Sequence, residues 1–131
     1  MKIDHIAIWC DNLERMREFY TTYFACVAND IYRNPSKGYS SYFLSFPAGS
    51  SRIELMHRTD IDPASERRGY TKGWAHLSIC VGERKDVDKL VERMRCDGHR
   101  IVGETRLTGD GYYEAVAEDV EGNTVEIIAN K

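Results

Sequence analysis

The stretch HIAIWC (His5–Cys10) returns seventy-one residues later as HLSICV (His76–Val81). Both read histidine, aliphatic, small, isoleucine, and both alternate as a β-strand does. A repeat of this kind decides the architecture before any single element is assigned. A helical pattern follows each copy, with apolar residues at i, i+3 and i+7: Leu13, Met16 and Tyr20 in the first, Val87, Leu90 and Met94 in the second. Asp11, with Glu14 after it, is expected to cap the first helix, and Asp97-Gly98 to stop the second. Three strand-like runs come next in each half, near 27–33, 39–47 and 52–57, then near 100–106, 112–118 and 124–129. Gly49 and Gly122 punctuate the last two runs of each set. The expectation is one α+β domain over 1–131, built of two βαβββ modules at about 1–57 and 74–131, with a polar linker over 58–73.

Strand alternation then sorts the side chains. His5, Ala7 and Trp9 share one face of the first strand, and Ile6, Ile8 and Cys10 the other. The larger aliphatic set should meet the helix. In IELM (Ile53–Met56), Glu54 points away from Ile53 and Leu55; in TVEIIAN (Thr124–Asn130), Glu126 points away from Val125 and Ile127. His5, Glu54, His76 and Glu126 therefore fall on the sheet faces that the helices leave open. The interval from histidine to glutamate is 49 residues in the first half and 50 in the second.

An unpaired carboxylate in an apolar strand must be protonated, paired or bound to a cation. Buried ion pairs are costly to desolvate and give no reason for duplication. Two imidazoles and two carboxylates in matched positions suit a divalent first-row metal with room left for water or substrate; zinc, nickel, cobalt, iron and manganese all accept such donors. His57 falls on the helix or edge side by alternation, and His99 follows the Asp97-Gly98 turn, so both are expected to be structural. Tyr39, Tyr42, Tyr112 and Tyr113 read as ordinary strand residues, with room for one or two to line a pocket, and Arg67, Arg68 and Lys72 as a solvated loop in preference to a seat for an anionic substrate.

The rest of the chain narrows the partners. A net charge of −3 and the lack of a basic cluster beyond Arg67-Arg68 argue against nucleic acid. No apolar run nears the roughly 20 residues that span a bilayer. MKIDHIAIWC enters structured-looking sequence at once, without the look of a signal peptide. The four cysteines form no CxxC pair, which favours reduced thiols and the cytoplasm.

DHIAIWCDNLERMREFY, SSRIELMH, GWAHLSICV and AEDVEGNTVEII together resemble the vicinal oxygen chelate superfamily, which includes glyoxalase I, bleomycin-resistance proteins, fosfomycin-resistance enzymes, methylmalonyl-CoA epimerase and extradiol dioxygenases. The resemblance covers nearly the whole chain. It implies paired modules curled into a cup-shaped mixed sheet around a metal, with His5, Glu54, His76 and Glu126 as ligands. A complete His-Glu-His-Glu set is most similar to bacterial glyoxalase I, a lactoylglutathione lyase. That implies a nickel- or cobalt-preferring homodimer whose sites lie at the interface and draw on both chains. The implied reaction is methylglyoxal detoxification. Glu126 or Glu54 takes the C1 proton of a hemithioacetal, the metal stabilises the enediolate, and a carboxylate returns the proton at C2.

Two positions depart from that pattern. Trp9 stands where glutathione-using bacterial enzymes carry an arginine, and Arg58 where they carry an asparagine, so the resemblance leaves the thiol, glutathione or another, open. Trp9 should point into the cup and either narrow it or stack on a planar substrate, and Arg58 can still meet a carboxylate where Trp9 cannot. Two alternatives stay open: a binding protein that sequesters a planar or chelating compound, and a non-haem iron dioxygenase. Four protein ligands disfavour the dioxygenase, since oxygen chemistry needs open positions on the iron.

Overall fold

The computed structural model describes residues 1–131 apart from Ser50 and Arg67. The chain divides into two compact units, Met1–Pro63 and Ala64–Lys131. Each has one helix packed on one mixed sheet.

In the first unit the order is β1 (His5–Trp9), α1 (Leu13–Phe24), β2 (Val27–Ala28), β3 (Tyr32–Asn34), a short 3₁₀ turn (Pro35–Lys37), β4 (Tyr39–Ser45) and β5 (Arg52–His57). The sheet runs β1-β5-β4-β2, with β3 also on β4. β1 is parallel to β5, and β4 antiparallel to it. Leu13, Met16, Phe19, Tyr20 and Phe24 line one side of α1 and are buried, as are Leu44, Ile53 and Leu55 of the sheet. That face follows from helical spacing meeting strand alternation. Burying a side chain of this size contributes roughly 1.5–3 kcal/mol.

The helix start differs from expectation by one residue. Asn12, not Asp11, is the cap: its Oδ1 accepts from Arg15 N at 3.0 Å. Either side chain suits the task, and the apolar register beginning at Leu13 selects the nearer one. The strand expected over 27–33 is also broken into β2 and β3. Asn29 causes the break. Its side-chain Oδ1 accepts from Phe43 N at 2.7 Å, while its own N–H donates to Phe43 O at 3.1 Å. A side chain has taken a ladder position from the backbone.

The second unit repeats the plan with β6 (Leu77–Gly82), α2 (Arg84–Cys96), β7 (Ile101–Leu107), β8 (Tyr113–Glu118) and β9 (Thr124–Ala129), in the sheet order β6-β9-β8-β7. Val87, Val91 and Met94 bury against Ile79, Ala115, Ala117, Val125 and Ile127. α2 opens with a reciprocal capping box between Glu83 and Asp86 and closes at Asp97, as the sequence suggests. The β8–β9 turn is built on Asp119, whose Oδ1 accepts from the N–H of Glu121 and of Asn123, each at 2.9 Å. Gly122 completes that turn at φ +80°, a conformation glycine adopts without steric cost. The turn fixes the start of β9 and with it Glu126.

The α+β class with two mixed sheets and two helices is as expected. Among the described residues no helix is long and apolar enough to cross a membrane.

Candidate metal centre

The register of the parallel strand pairs places the expected ligands. In the first unit Ala7 is the partner of Glu54, and His5 lies two residues before Ala7. In the second, Ser78 is the partner of Glu126, and His76 lies two residues before Ser78. The strand β6 begins at Leu77, so His76 sits just ahead of it rather than inside it. Side chains two apart on a strand share a face, so each histidine leans over its glutamate. His5 Nε2 is 3.6 Å from Glu54 Oε2, and His76 Nε2 is 3.6 Å from Glu126 Oε2.

That distance is too long for a hydrogen bond. Two donors bound to one small divalent cation at about 2.0–2.2 Å stand roughly 3.0–3.5 Å apart, so each pair has nearly the span of two neighbouring ligands. The donor types also suit such an ion. The glutamates are 14% and 19% exposed and the histidines 38% and 44%, so each pair opens to one side of its sheet. Among the described residues no three His, Cys, Asp or Glu side chains gather into a metal cage. Each unit offers two donors. Glu114, buried on the Glu126 face of its sheet, adds no third, because Arg106 Nη2 neutralises it at 2.9 Å.

Further groups around the first pair escaped the sequence reading. Asp4 Oδ2 lies 2.9 Å from His5 Nδ1 and 2.5 Å from Arg52 Nη2. These contacts, with His5 first, hold the Asp4 carboxyl down at about 2. An Nδ1–H donated to Asp4 leaves Nε2 as the lone-pair nitrogen, the one facing Glu54. Tyr39 OH donates to Glu54 Oε1 at 2.8 Å. Burial, aided by Glu54, pushes its phenol up, which keeps the proton on the donor. The only sequence signal for either was placement: Asp4 is next to His5, and Tyr39 shares the Glu54 face by alternation along β4. The second pair has neither partner. Ala75 precedes His76, and Tyr112 lies under the Lys131 ammonium, 4.0 Å from its ring centroid.

Trp9 lies on the His5 face, 39% exposed. The Arg58 guanidinium sits 5.5 Å from its ring centroid and also pairs with Asp60. Tyr39 meets the Trp9 ring edge-on, 6.3 Å between centroids. Cys80 and Asn130 occupy the matching places in the second unit, with Cys80 Sγ donating to Asn130 Oδ1 at 3.0 Å. The other expectations fall out simply. His57 is structural, its Nδ1–H donating to Cys10 O at 2.8 Å. His99 closes α2 through its backbone N–H, which donates to Met94 O at 2.9 Å. Arg68 Nη1 donates to Asn123 Oδ1 at 2.8 Å, which ties it to the β8–β9 turn. Arg67 lies outside the described residues.

Known proteins resemble this chain in sequence and in fold. The lactoylglutathione lyase GLX1 of Arabidopsis thaliana is 29% identical over 127 residues, covering 95% of this chain and 42% of that protein. Glyoxalase I of Zea mays matches at 25% identity and a TM-score of 0.80, over 99% of this chain and 46% of its own. The chain thus spans less than half the length of both. A glyoxylase/bleomycin resistance protein/dioxygenase domain from Frankia sp. EAN1pec shares the fold at a TM-score of 0.83 and 18% identity, over 100% of this chain and 93% of that one. Over residues 2–127 the sequence matches the Glyoxalase/Bleomycin resistance protein/Dioxygenase superfamily, and the chain belongs to that superfamily.

Proposed function

We propose that this protein is a metal-dependent glyoxalase I-like isomerase of the lactoylglutathione lyase type. Its substrate is the hemithioacetal of a thiol with methylglyoxal or a related 2-oxoaldehyde. The observation behind this reading is the duplicated His–Glu pair, with the same strand offset and the same 3.6 Å separation in both units. Four ligands, His5, Glu54, His76 and Glu126, require two pairs per ion. In the proposed homodimer the two pairs come from two chains, which gives one metal per chain. Nickel or cobalt is the preferred ion; zinc, manganese and iron accept the same donors.

The bound metal would supply Lewis acidity toward the vicinal oxygens of the substrate. The protein's own groups do the rest. One carboxylate, Glu54 or Glu126, takes the proton from C1, and the same or the opposite one delivers it to C2, leaving a thioester. Carboxylates on two sides of the reacting carbons suit a transfer between adjacent atoms. Trp9 and Arg58 receive the thiol portion. An indole with a guanidinium over it favours a flat or π-rich group, and isomerisation rates with glutathione and with other thiols identify the cosubstrate.

The test is metal content by elemental analysis, then isomerisation of methylglyoxal hemithioacetals followed by thioester absorbance. About one nickel or cobalt per chain, with activity lost on chelation and restored by the metal, is the expected result. A protein that neither contains nor takes up metal refutes the reading. The Trp9–Arg58 contact favours a second reading, sequestration of a planar compound without turnover, and binding that survives chelation would select it.

A further inference from the structure

Tyr39 separates the two His–Glu pairs. Its hydroxyl claims Glu54 Oε1 at 2.8 Å, and Glu54 Oε2 is the oxygen that faces His5 Nε2. The phenol is itself braced, edge-on against Trp9 and tilted against Tyr32, whose ring centroid is 6.1 Å away. The last torsion of a glutamate is broad and roughly twofold, so a carboxylate with neither oxygen held presents no fixed face. The second sheet has a tyrosine in the matching place: Tyr112 precedes Val116, the partner of Glu126, by four residues, as Tyr39 precedes Phe43, the partner of Glu54. Tyr112 does not serve Glu126, since its ring lies under Lys131. Among the described residues no hydrogen bond reaches Glu126 Oε1. The same residue type at the same offset therefore holds one carboxylate and leaves the other open.

We propose that Tyr39 is a positioning residue for the first His–Glu pair: it fixes the Glu54 carboxylate so that Oε2 alone is presented beside His5 Nε2 to a divalent cation. This rests on the metal reading above. It makes Glu54 a pre-set ligand, while Glu126 keeps an oxygen that no described side chain claims. Partners of this kind ordinarily sustain about 10–100-fold of a site's affinity for its metal.

The experiment is a cobalt(II) titration of the metal-free wild type, Y39F and Y112F, read by visible absorption. Urea unfolding of the metal-free proteins runs alongside. Y39F is expected to bind cobalt about 10–100-fold more weakly, with an altered d–d band and unchanged far-UV circular dichroism. Y112F should match the wild type. Y39F that binds as the wild type does, with the same band shape, overturns the positioning role and leaves the metal centre standing. Equal weakening in Y39F and Y112F also overturns it, because general loosening of the sheets would then account for both. A wild type that takes up no cobalt overturns both the metal reading and this one.

Discussion

Adjacent residues in β5 should divide stability from metal binding. Leu55 is 0% exposed on the helix side of the sheet, and Glu54 is on the other side beside His5. Leu55→Ala removes three carbons from a filled core. At roughly 0.8 kcal/mol per methylene the transfer loss alone is about 2.4 kcal/mol. The cavity left behind brings the expected cost to about 2–5 kcal/mol, a large part of the 5–15 kcal/mol typical of a single domain. With a urea slope of about 2 kcal/mol/M the midpoint should fall by roughly 1–2.5 M. Glu54→Gln should behave oppositely. Its amide oxygen still accepts from Tyr39, so the midpoint should move by less than about 0.5 M, while cobalt affinity falls sharply. Urea unfolding and cobalt titration of both variants decide the matter. A loss below about 1 kcal/mol in L55A would show that Leu55 is not in a packed core. The register that places Glu54 would then be wrong as well.

Other outcomes follow from single contacts. Tyr42 OH donates to Glu14 Oε1 at 2.5 Å, and this bond, with Arg17, holds the Glu14 carboxyl below its usual range. A depressed carboxylate stabilises above its unfolded pKa and loses that contribution as pH falls. Y42F should therefore cost about 1 kcal/mol at pH 7, and the gap from wild type should close below about pH 4; a gap constant with pH would refute the link. Ala25 holds the left-handed C-cap of α1 at φ 53°, so Ala25→Gly should raise stability by up to about 1 kcal/mol in urea unfolding. Cys80 and Cys96 are exposed, whereas Cys10 and Cys26 are buried and burial pushes the Cys26 thiol up to about 11. An aromatic disulfide reagent should titrate two thiols in the native protein and four in denaturant. Replacing His57 or His99 should leave metal content unchanged by elemental analysis.

The features readable from sequence were those that periodicity dictates. Alternation through IELM and TVEIIAN gave the faces of Glu54 and Glu126 directly, because strand side chains have no other choice once the apolar set meets a helix. β5 and β9 have the expected limits for the same reason. The misses came from side chains that enter backbone hydrogen bonding. Asn29 splits a run whose composition reads as one strand, and Asn12 takes the cap from Asp11. The partners of the first pair were invisible for a different reason. Tyr39 and Glu54 lie on antiparallel strands joined by a turn, and whether the phenol reaches the carboxylate depends on rotamers and on bracing by Trp9 and Tyr32. The matching Tyr112, bound up with Lys131, shows that residue type and offset do not decide it.

Duplication explains what the halves share and what they do not. The parallel pairing of β1 with β5 and of β6 with β9 sets where the Cβ atoms of His5, Glu54, His76 and Glu126 lie, and backbone register is costly to alter. Side chains around those positions are cheap to change, since they lie on open faces. The Asp4, Trp9, Tyr39 and Arg58 of one half are matched by Ala75, Cys80, Tyr112 and Asn130 in the other. The first half is thus charged, aromatic and hydrogen-bonded, the second small and sparsely partnered. The two-carbon reacting unit of the proposed substrate, set between equivalent carboxylates, would bind in two orientations of equal energy. In the proposed reaction, unequal surroundings would remove that degeneracy: a large flat group would have favourable contacts at Trp9 and Arg58 and none comparable at Cys80 and Asn130. On the proposed reading, orientation would come from the flanking residues, and the ligand set could stay symmetric.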